Sequence, residues 1–246
     1  MKRVFTLFLI AFVSIHCISC KALDTPPNFS EGPQNNAQNT PYLSDITIII
    51  DAGHGGEDGG AVGANGIFEK NINLSVASML ETRLRNDGYK TLMTRTEDIL
   101  LYDRNTDFEG HKKHLDLEAR IKIAEETENA LFISIHMNSF SQKKYKGLQV
   151  YYSPNSSHSK LLAEEIQLNA RLLLDASNNR VTKESDGNIL LLKRITHPAV
   201  LVECGFLSNT SECQRLSDPL YQAEIARTIC ISIENYINNE NNTTAP

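Results

Sequence analysis

The chain has no tryptophan in its 246 residues, so any surface that stacks on a sugar ring must use its 8 tyrosines or 9 phenylalanines. Positive charge is also scarce. Lys and Arg number 24 against 30 Asp and Glu, a net charge of −6, and no dense basic run occurs, which argues against a nucleic-acid partner. Long apolar runs are few. The stretch Val4 to Ile15 is about 12 residues, short of the roughly 20 that span a membrane. Cysteine appears five times, twice near the N-terminus. The remaining three, Cys204, Cys213 and Cys230, are odd in number and contain no CxxC pair. That excludes a disulfide framework and disfavours a thiolate zinc site. Cys204 continues an apolar run and reads as a small core residue.

What is present begins with a targeting pattern. Lys2-Arg3 precedes the apolar stretch, and Cys17-Ile18-Ser19-Cys20 follows it, as in an export signal over residues 1–20. The small residue before Cys20 resembles a bacterial lipoprotein cleavage site, although Cys17 stands where an aliphatic residue is usual. Lipidation at Cys20, ordinary cleavage nearby and an uncleaved anchor all stay open. Each exports the rest to the cell envelope, and lipidation or an uncleaved anchor would also attach it to the membrane through the N-terminus. Residues 21–44 hold Pro26-Pro27, Pro33 and Pro41 among Asn, Gln and Ser, and read as a flexible linker. Residues 239–246 are Asn- and Thr-rich and read as a disordered tail.

Between them, residues 45–238 alternate strand-like and helix-like patterns. Thr47 to Asp51, Tyr89 to Thr94, Leu131 to His136, Gly147 to Tyr152, Asn188 to Leu192 and Ala199 to Glu203 read as strands, the fourth at an edge. Asn71 to Asn86, Leu115 to Glu128, His158 to Asp175 and Leu220 to Tyr236 carry apolar residues at helical spacing. This predicts an α/β fold: one domain with a mixed, mainly parallel β-sheet and helices on both faces. Glu97 to His114 fits neither pattern and is assigned to a groove wall, with His111 and His114 solvated.

Chemistry gathers where apolar runs stop. Ile48-Ile49-Ile50-Asp51 leads to His54, Phe132-Ile133-Ser134-Ile135 to His136, and Val200-Leu201-Val202 to Glu203. The C-terminal ends of parallel strands share one rim of the sheet, where ligands bind. Glu69, in the loop after the first strand, can fold back to join them. Two imidazoles and a carboxylate suit zinc, and a further Glu left free suits a metal-assisted hydrolase.

Each residue has a plainer reading beside that one. His54 and His136 are core or capping histidines if taken singly. Glu69 is a surface charge at a helix start, and Glu203 is half of a structural ion pair. The glycines around His54 raise a phosphate cradle, but no Gly-Lys-Ser/Thr follows and Asp58 stands where the dinucleotide fingerprint needs glycine. They are better explained as a sharp turn that leaves His54 open. Asp51 is a candidate to orient His54 by accepting a hydrogen bond, while Asp58 reads as a turn residue. Arg95 and Arg120 are candidates either to fork onto a substrate carboxylate or to make structural ion pairs.

Four segments, in order, resemble one family. Asp51-Ala52-Gly53-His54-Gly55-Gly56, Glu69-Lys70, Ser134-Ile135-His136-Met137-Asn138 and Val202-Glu203-Cys204-Gly205-Phe206-Leu207-Ser208-Asn209 are similar to the motifs of zinc-dependent N-acetylmuramoyl-L-alanine amidases, the Amidase_3 family. The resemblance covers about Ile46 to Tyr236. It implies one Zn2+ held by His54, Glu69 and His136, Glu203 as the catalytic carboxylate, Asn138 as a further substrate-side candidate, and peptidoglycan as the substrate. Zinc-activated water would then cleave the amide between N-acetylmuramic acid and L-alanine. Lys112 to Leu117, Gly147 to Tyr152 and Glu203-Cys204-Gly205 resemble the spore-cortex (CwlD-type) branch. Some family members insert a long autoinhibitory helix after the second histidine, and Met137 to His158 is too short for one. An activator protein stays unidentified. Two other classes are a different zinc hydrolase of the wall, such as a deacetylase or peptidase, and a wall-binding protein without catalysis. The second should lack one of the four residues.

Overall fold

The sheet is built on β1, Thr47–Ala52, whose six residues are all buried. A β-branched run with no polar face is stable only where helices cover both sides of a strand. The computed structural model describes residues 46–103, 105 and 109–244. The expected export signal, the linker and the Cys20 anchor lie outside them. After β1 come α1 (Glu69–Asn86), β2 (Lys90–Met93), α2 (Lys112–Glu125), β3 (Ala130–Asn138), β4 (Gln149–Tyr152) and α3 (Ser157–Asn169). A single π-helical turn, Ala170–Leu174, extends α3. Then follow β5 (Lys183–Glu184), α4 (Leu190–Arg194), β6 (Ala199–Phe206), α5 (Thr210–Leu216) and α6 (Pro219–Thr244).

The six strands lie in the order β2-β1-β3-β6-β4-β5. β2, β1, β3 and β6 are mutually parallel, and β4 pairs antiparallel to β6. The mixed, mainly parallel α/β sheet is therefore as expected. Side chains alternate faces along each strand. Ile48, Ile50, Ile133, Ile135, Val200 and Val202 form one core with α1, α3 and α6. Ile49, Phe132 and Leu201 form a second with Ile121 of α2 and Leu191 and Leu192 of α4.

Three expectations need correction. Asn188 to Leu192 is not a strand. Its apolar part opens the short helix α4, because Leu191 and Leu192 fill the core under α2. The strand beside β4 is instead the two-residue β5, too short and too polar to show as a pattern. β4 itself is second from the edge. The closing helix also runs on to Thr244 rather than ending at Tyr236, and so takes in part of the tail expected from residue 239. No Gly or Pro interrupts residues 238–244, and propagating an established helix costs little. Among the described residues no helix is long and apolar enough to cross a membrane.

Candidate active site

Parallel register sets the rim. Ala52 of β1 stands opposite Ile135 of β3, and His136 of β3 opposite Glu203 of β6. By alternation, Asp51, Ser134, His136 and Glu203 all lie on the face covered by α2 and α4. His54 follows β1 by two residues at φ 62°, a left-handed conformation that costs a non-glycine residue ~1–2 kcal/mol. Two contacts hold it there. Arg120 Nη2 donates to its carbonyl at 2.9 Å, and its ring Nδ1 lies 2.9 Å from Asp58 Oδ2. Glu69 is the first residue of α1, where the helix dipole favours a carboxylate.

These elements converge. Glu69 Oε2 lies 3.2 Å from His54 Nε2, and its Oε1 lies 2.9 Å from His136 Nδ1. The two imidazole rings meet edge-on at 4.9 Å. The carboxylate of Glu69 is almost wholly buried and also accepts from Ala61 N at 2.8 Å, Met137 N at 3.0 Å and Asn73 Nδ2 at 3.3 Å. His54, Glu69 and His136 thus offer three ligand atoms within 4.8 Å of one another. Glycine is required around them. A Cβ on Gly53 would run into the His136 imidazole, and one on Gly60 would meet Glu69 Oε2.

Electrostatics match a cation site. Burial disfavours charge on His54, yet its hydrogen bonds to Asp58 and Glu69 outweigh that and raise its pKa to about 9. Burial would likewise lift Glu69, but hydrogen bonds from His136 and His54 hold it far below the usual carboxylate range. Two carboxylates and two imidazoles therefore select positive charge between them, and their N, N, O donor set suits zinc. Glu203 differs. Its Oε2 is buried with no hydrogen-bond partner among the described residues. Burial is the main cause that pushes it up to about 7, with His136 pulling it down and Glu69 pushing it up. It is a buried carboxyl group beside the cluster, across from His136, but outside it.

The remaining candidates have other roles. Asp51 does not touch the His54 ring. It is fully buried and pairs with Arg120, while Ser134 Oγ and Thr94 Oγ1 donate to it at 2.6 and 2.7 Å. The ring contact belongs to Asp58, which the sequence marked only as a turn residue. Asp58 also accepts from Gly60 N at 3.2 Å and pairs with Lys113 at 3.1 Å. Arg95 and Arg120 are 2% and 1% exposed, so neither is free to fork onto a substrate. Arg95 donates to the carbonyls of Ala52, Gly53, Lys70 and Glu97, and Arg120 to those of Ala52 and His54. They clamp the loop that carries His54. Asn138, by contrast, lines an open cleft together with Gln149, the cross-strand neighbour of Glu203. The Glu97 to His114 segment does contribute a wall. Leu100 and Gly110 line a second cleft with Glu57, Asp58, Lys112 and Lys113, and His114 stays exposed. Asn73, which ties Glu69 to the Gly53 carbonyl at 3.1 Å, had no signal beyond its place four residues after Glu69.

An α/β sheet with a His-Glu-His cluster that could hold a metal ion, and a lone carboxyl on the same rim, fits the hydrolase class. Residues 48–235 match the family model for N-acetylmuramoyl-L-alanine amidase, Amidase_3, and the chain belongs to that family of peptidoglycan amidases. It is 37% identical to the germination-specific N-acetylmuramoyl-L-alanine amidase of Bacillus subtilis, over 79% of this chain and 81% of the relative. Among solved structures it is similar to the CwlD amidase from Clostridioides difficile in complex with the GerS lipoprotein. That likeness has a TM-score of 0.74 and 40% identity, over 78% of this chain and 98% of the other. The catalytic domain of CwlV from Bacillus (Paenibacillus) polymyxa var. colistinus matches with a TM-score of 0.65 and 30% identity, over 78% and 98%. These likenesses support the CwlD-type branch. As the short span from Met137 to His158 predicts, β4 and no helix lies between β3 and α3 among the described residues. A family acting on peptidoglycan works outside the cytoplasm.

Proposed function

We propose that His54, Glu69 and His136 hold one zinc ion and that Glu203 is the general acid and base for cleaving the N-acetylmuramoyl-L-alanine amide. The observation that carries this reading is the partnerless, buried Glu203 oxygen beside three converging ligand atoms. Zinc bound there would supply Lewis acidity to water and to the scissile carbonyl. Glu203 takes a proton from the attacking water and returns it to the departing alanine nitrogen, which leaves poorly without one. A pKa near neutrality suits both halves of that exchange. Asp58 fixes the tautomer and orientation of His54 through Nδ1, leaving Nε2 toward the cluster. Arg95 and Arg120 hold the carbonyls of the loop so that His54 keeps its left-handed backbone.

We further infer residues 1–20 as the export signal, residues 21–44 as a tether and residues 45–238 as the catalytic domain. Cys20 is the inferred anchor site, and spore formation is the inferred setting. The similar CwlD is in complex with the GerS lipoprotein, which supports a lipoprotein as a partner of this chain.

The test separates binding from turnover. His136→Ala should lose zinc by elemental analysis. Glu203→Gln should keep full zinc and lose roughly 100- to 10,000-fold in rate. Zinc retained in the first variant, or activity retained in the second, contradicts the role assigned to that residue.

A further inference from the structure

Across the sheet from the zinc cluster, one row of side chains continues on the same face. His136 of β3 stands beside Glu203 of β6, and Glu203 stands beside Gln149 of β4. The next row places Leu201 of β6 beside Tyr151 of β4, and Tyr151 beside Lys183 of β5. Strands lie about 5 Å apart, so Lys183 is roughly 10 Å across the sheet from Leu201 of β6, two residues before Glu203. Over this part of the sheet opens a cleft of 290 Å³ whose lining includes Asn138, Tyr145, Gln149, Arg180, Lys183 and Phe206.

This cleft has two cations and no carboxylate in its lining. Arg180 is held in place. Its Nε donates to the Lys146 carbonyl at 2.7 Å, its Nη1 donates to Gln149 Oε1 at 2.9 Å, and its guanidinium lies 4.4 Å from the Phe206 ring centroid. Lys183 is exposed and has no acidic partner among the described residues. Beside it Phe140 is 51% exposed and meets Tyr145 edge-on at 5.2 Å. A cationic floor with an aromatic wall, joined to the Glu203 row through Gln149, fits an acidic peptide rather than a neutral glycan.

Resting on the amidase reading above, we propose that this cleft binds the peptide side of the substrate and that Lys183, with Arg180, pairs with a carboxylate of that peptide. Lys183 is then a specificity-determining binding residue that takes no part in the proton exchange at Glu203.

The probe is synthetic N-acetylmuramoyl-L-alanyl-D-glutamate, compared with the same compound carrying carboxamides in place of its carboxylates. Binding is measured by calorimetry on zinc-loaded Glu203→Gln protein, so no turnover is needed. The acid form should bind about tenfold tighter than the amide form, a gap that narrows as salt rises. Adding Lys183→Met should erase most of that preference, whereas Glu184→Gln on the neighbouring exposed residue should leave it intact. Equal binding of acid and amide overturns the proposal. So does a preference that survives both Lys183→Met and Arg180→Met. A parallel turnover assay with the unaltered chain keeps the two readings apart. Discrimination in binding without release of either peptide would sink the amidase roles and leave the cleft assignment standing.

Discussion

At the residue scale, the site depends on one aspartate taking a part assigned to another. Asp51 closes the apolar run of β1 and is the obvious neighbour of His54 in sequence, but alternation sends its side chain under α2 to Arg120. Asp58 returns through a four-residue turn, closed by mutual hydrogen bonds of 2.9 Å between Gly55 and Asp58, and reaches His54 Nδ1. Asp58→Asn should therefore weaken zinc binding by roughly 10- to 100-fold without unfolding the protein, read by competition with a chelator. Unchanged affinity would mean that Asp58 only shapes the turn. His54, His136 and Glu203 were legible because each is a polar residue that ends or closely follows an apolar run. Glu69 was not, because a Glu-Lys pair at a helix start has no feature that separates a ligand from a surface charge. The resemblance singled it out, and its burial with five polar neighbours supplies the physical reason.

At the element scale, the loop from β1 to α1 is held by buried ions rather than by packing. Arg120 and Asp51 are both sealed from water, and breaking such a pair leaves one charge uncompensated. Asp51→Asn should cost about 3–5 kcal/mol by chemical denaturation. The pH dependence carries a sign. Burial would raise the Asp51 pKa, but Arg120, Ser134 and Thr94 hold it below its ordinary value. Its stabilisation is thus complete above about pH 4 and is lost as pH falls through the lower native value. The variant should lose less stability than the unaltered chain between neutral and acid pH, and an equal or steeper loss would contradict this account. Gly60→Ala should lower zinc content, since φ at Gly60 is 66° and its Cβ would press on Glu69. The long strands and helices were readable because burial on both faces or a single apolar stripe leaves a period. The run Ile189 to Leu192 was misread because four apolar residues have no period that distinguishes a buried strand from one helical turn.

At the scale of the whole molecule, the fold brings residues 54, 69, 136 and 203 to one rim because β1, β3 and β6 are adjacent and parallel. Adding zinc should stabilise the folded chain, by about 2.7 kcal/mol at a hundredfold excess over the dissociation constant. Glu203→Gln should share that gain and His136→Ala should not, as followed by thermal unfolding. The burial of Arg95 and Arg120 was invisible in sequence because it arises only when the loop, α2 and the sheet close together. The measurement that tests the central claim most directly is a digest of purified peptidoglycan by residues 45–246, with and without a chelator, read by mass spectrometry. Free peptides with an L-alanine amino terminus, beside glycan stripped of peptide and lost on chelation, are the predicted result. Folded, zinc-bound protein that releases sugar fragments, acetate or internally cut peptides instead would contradict it.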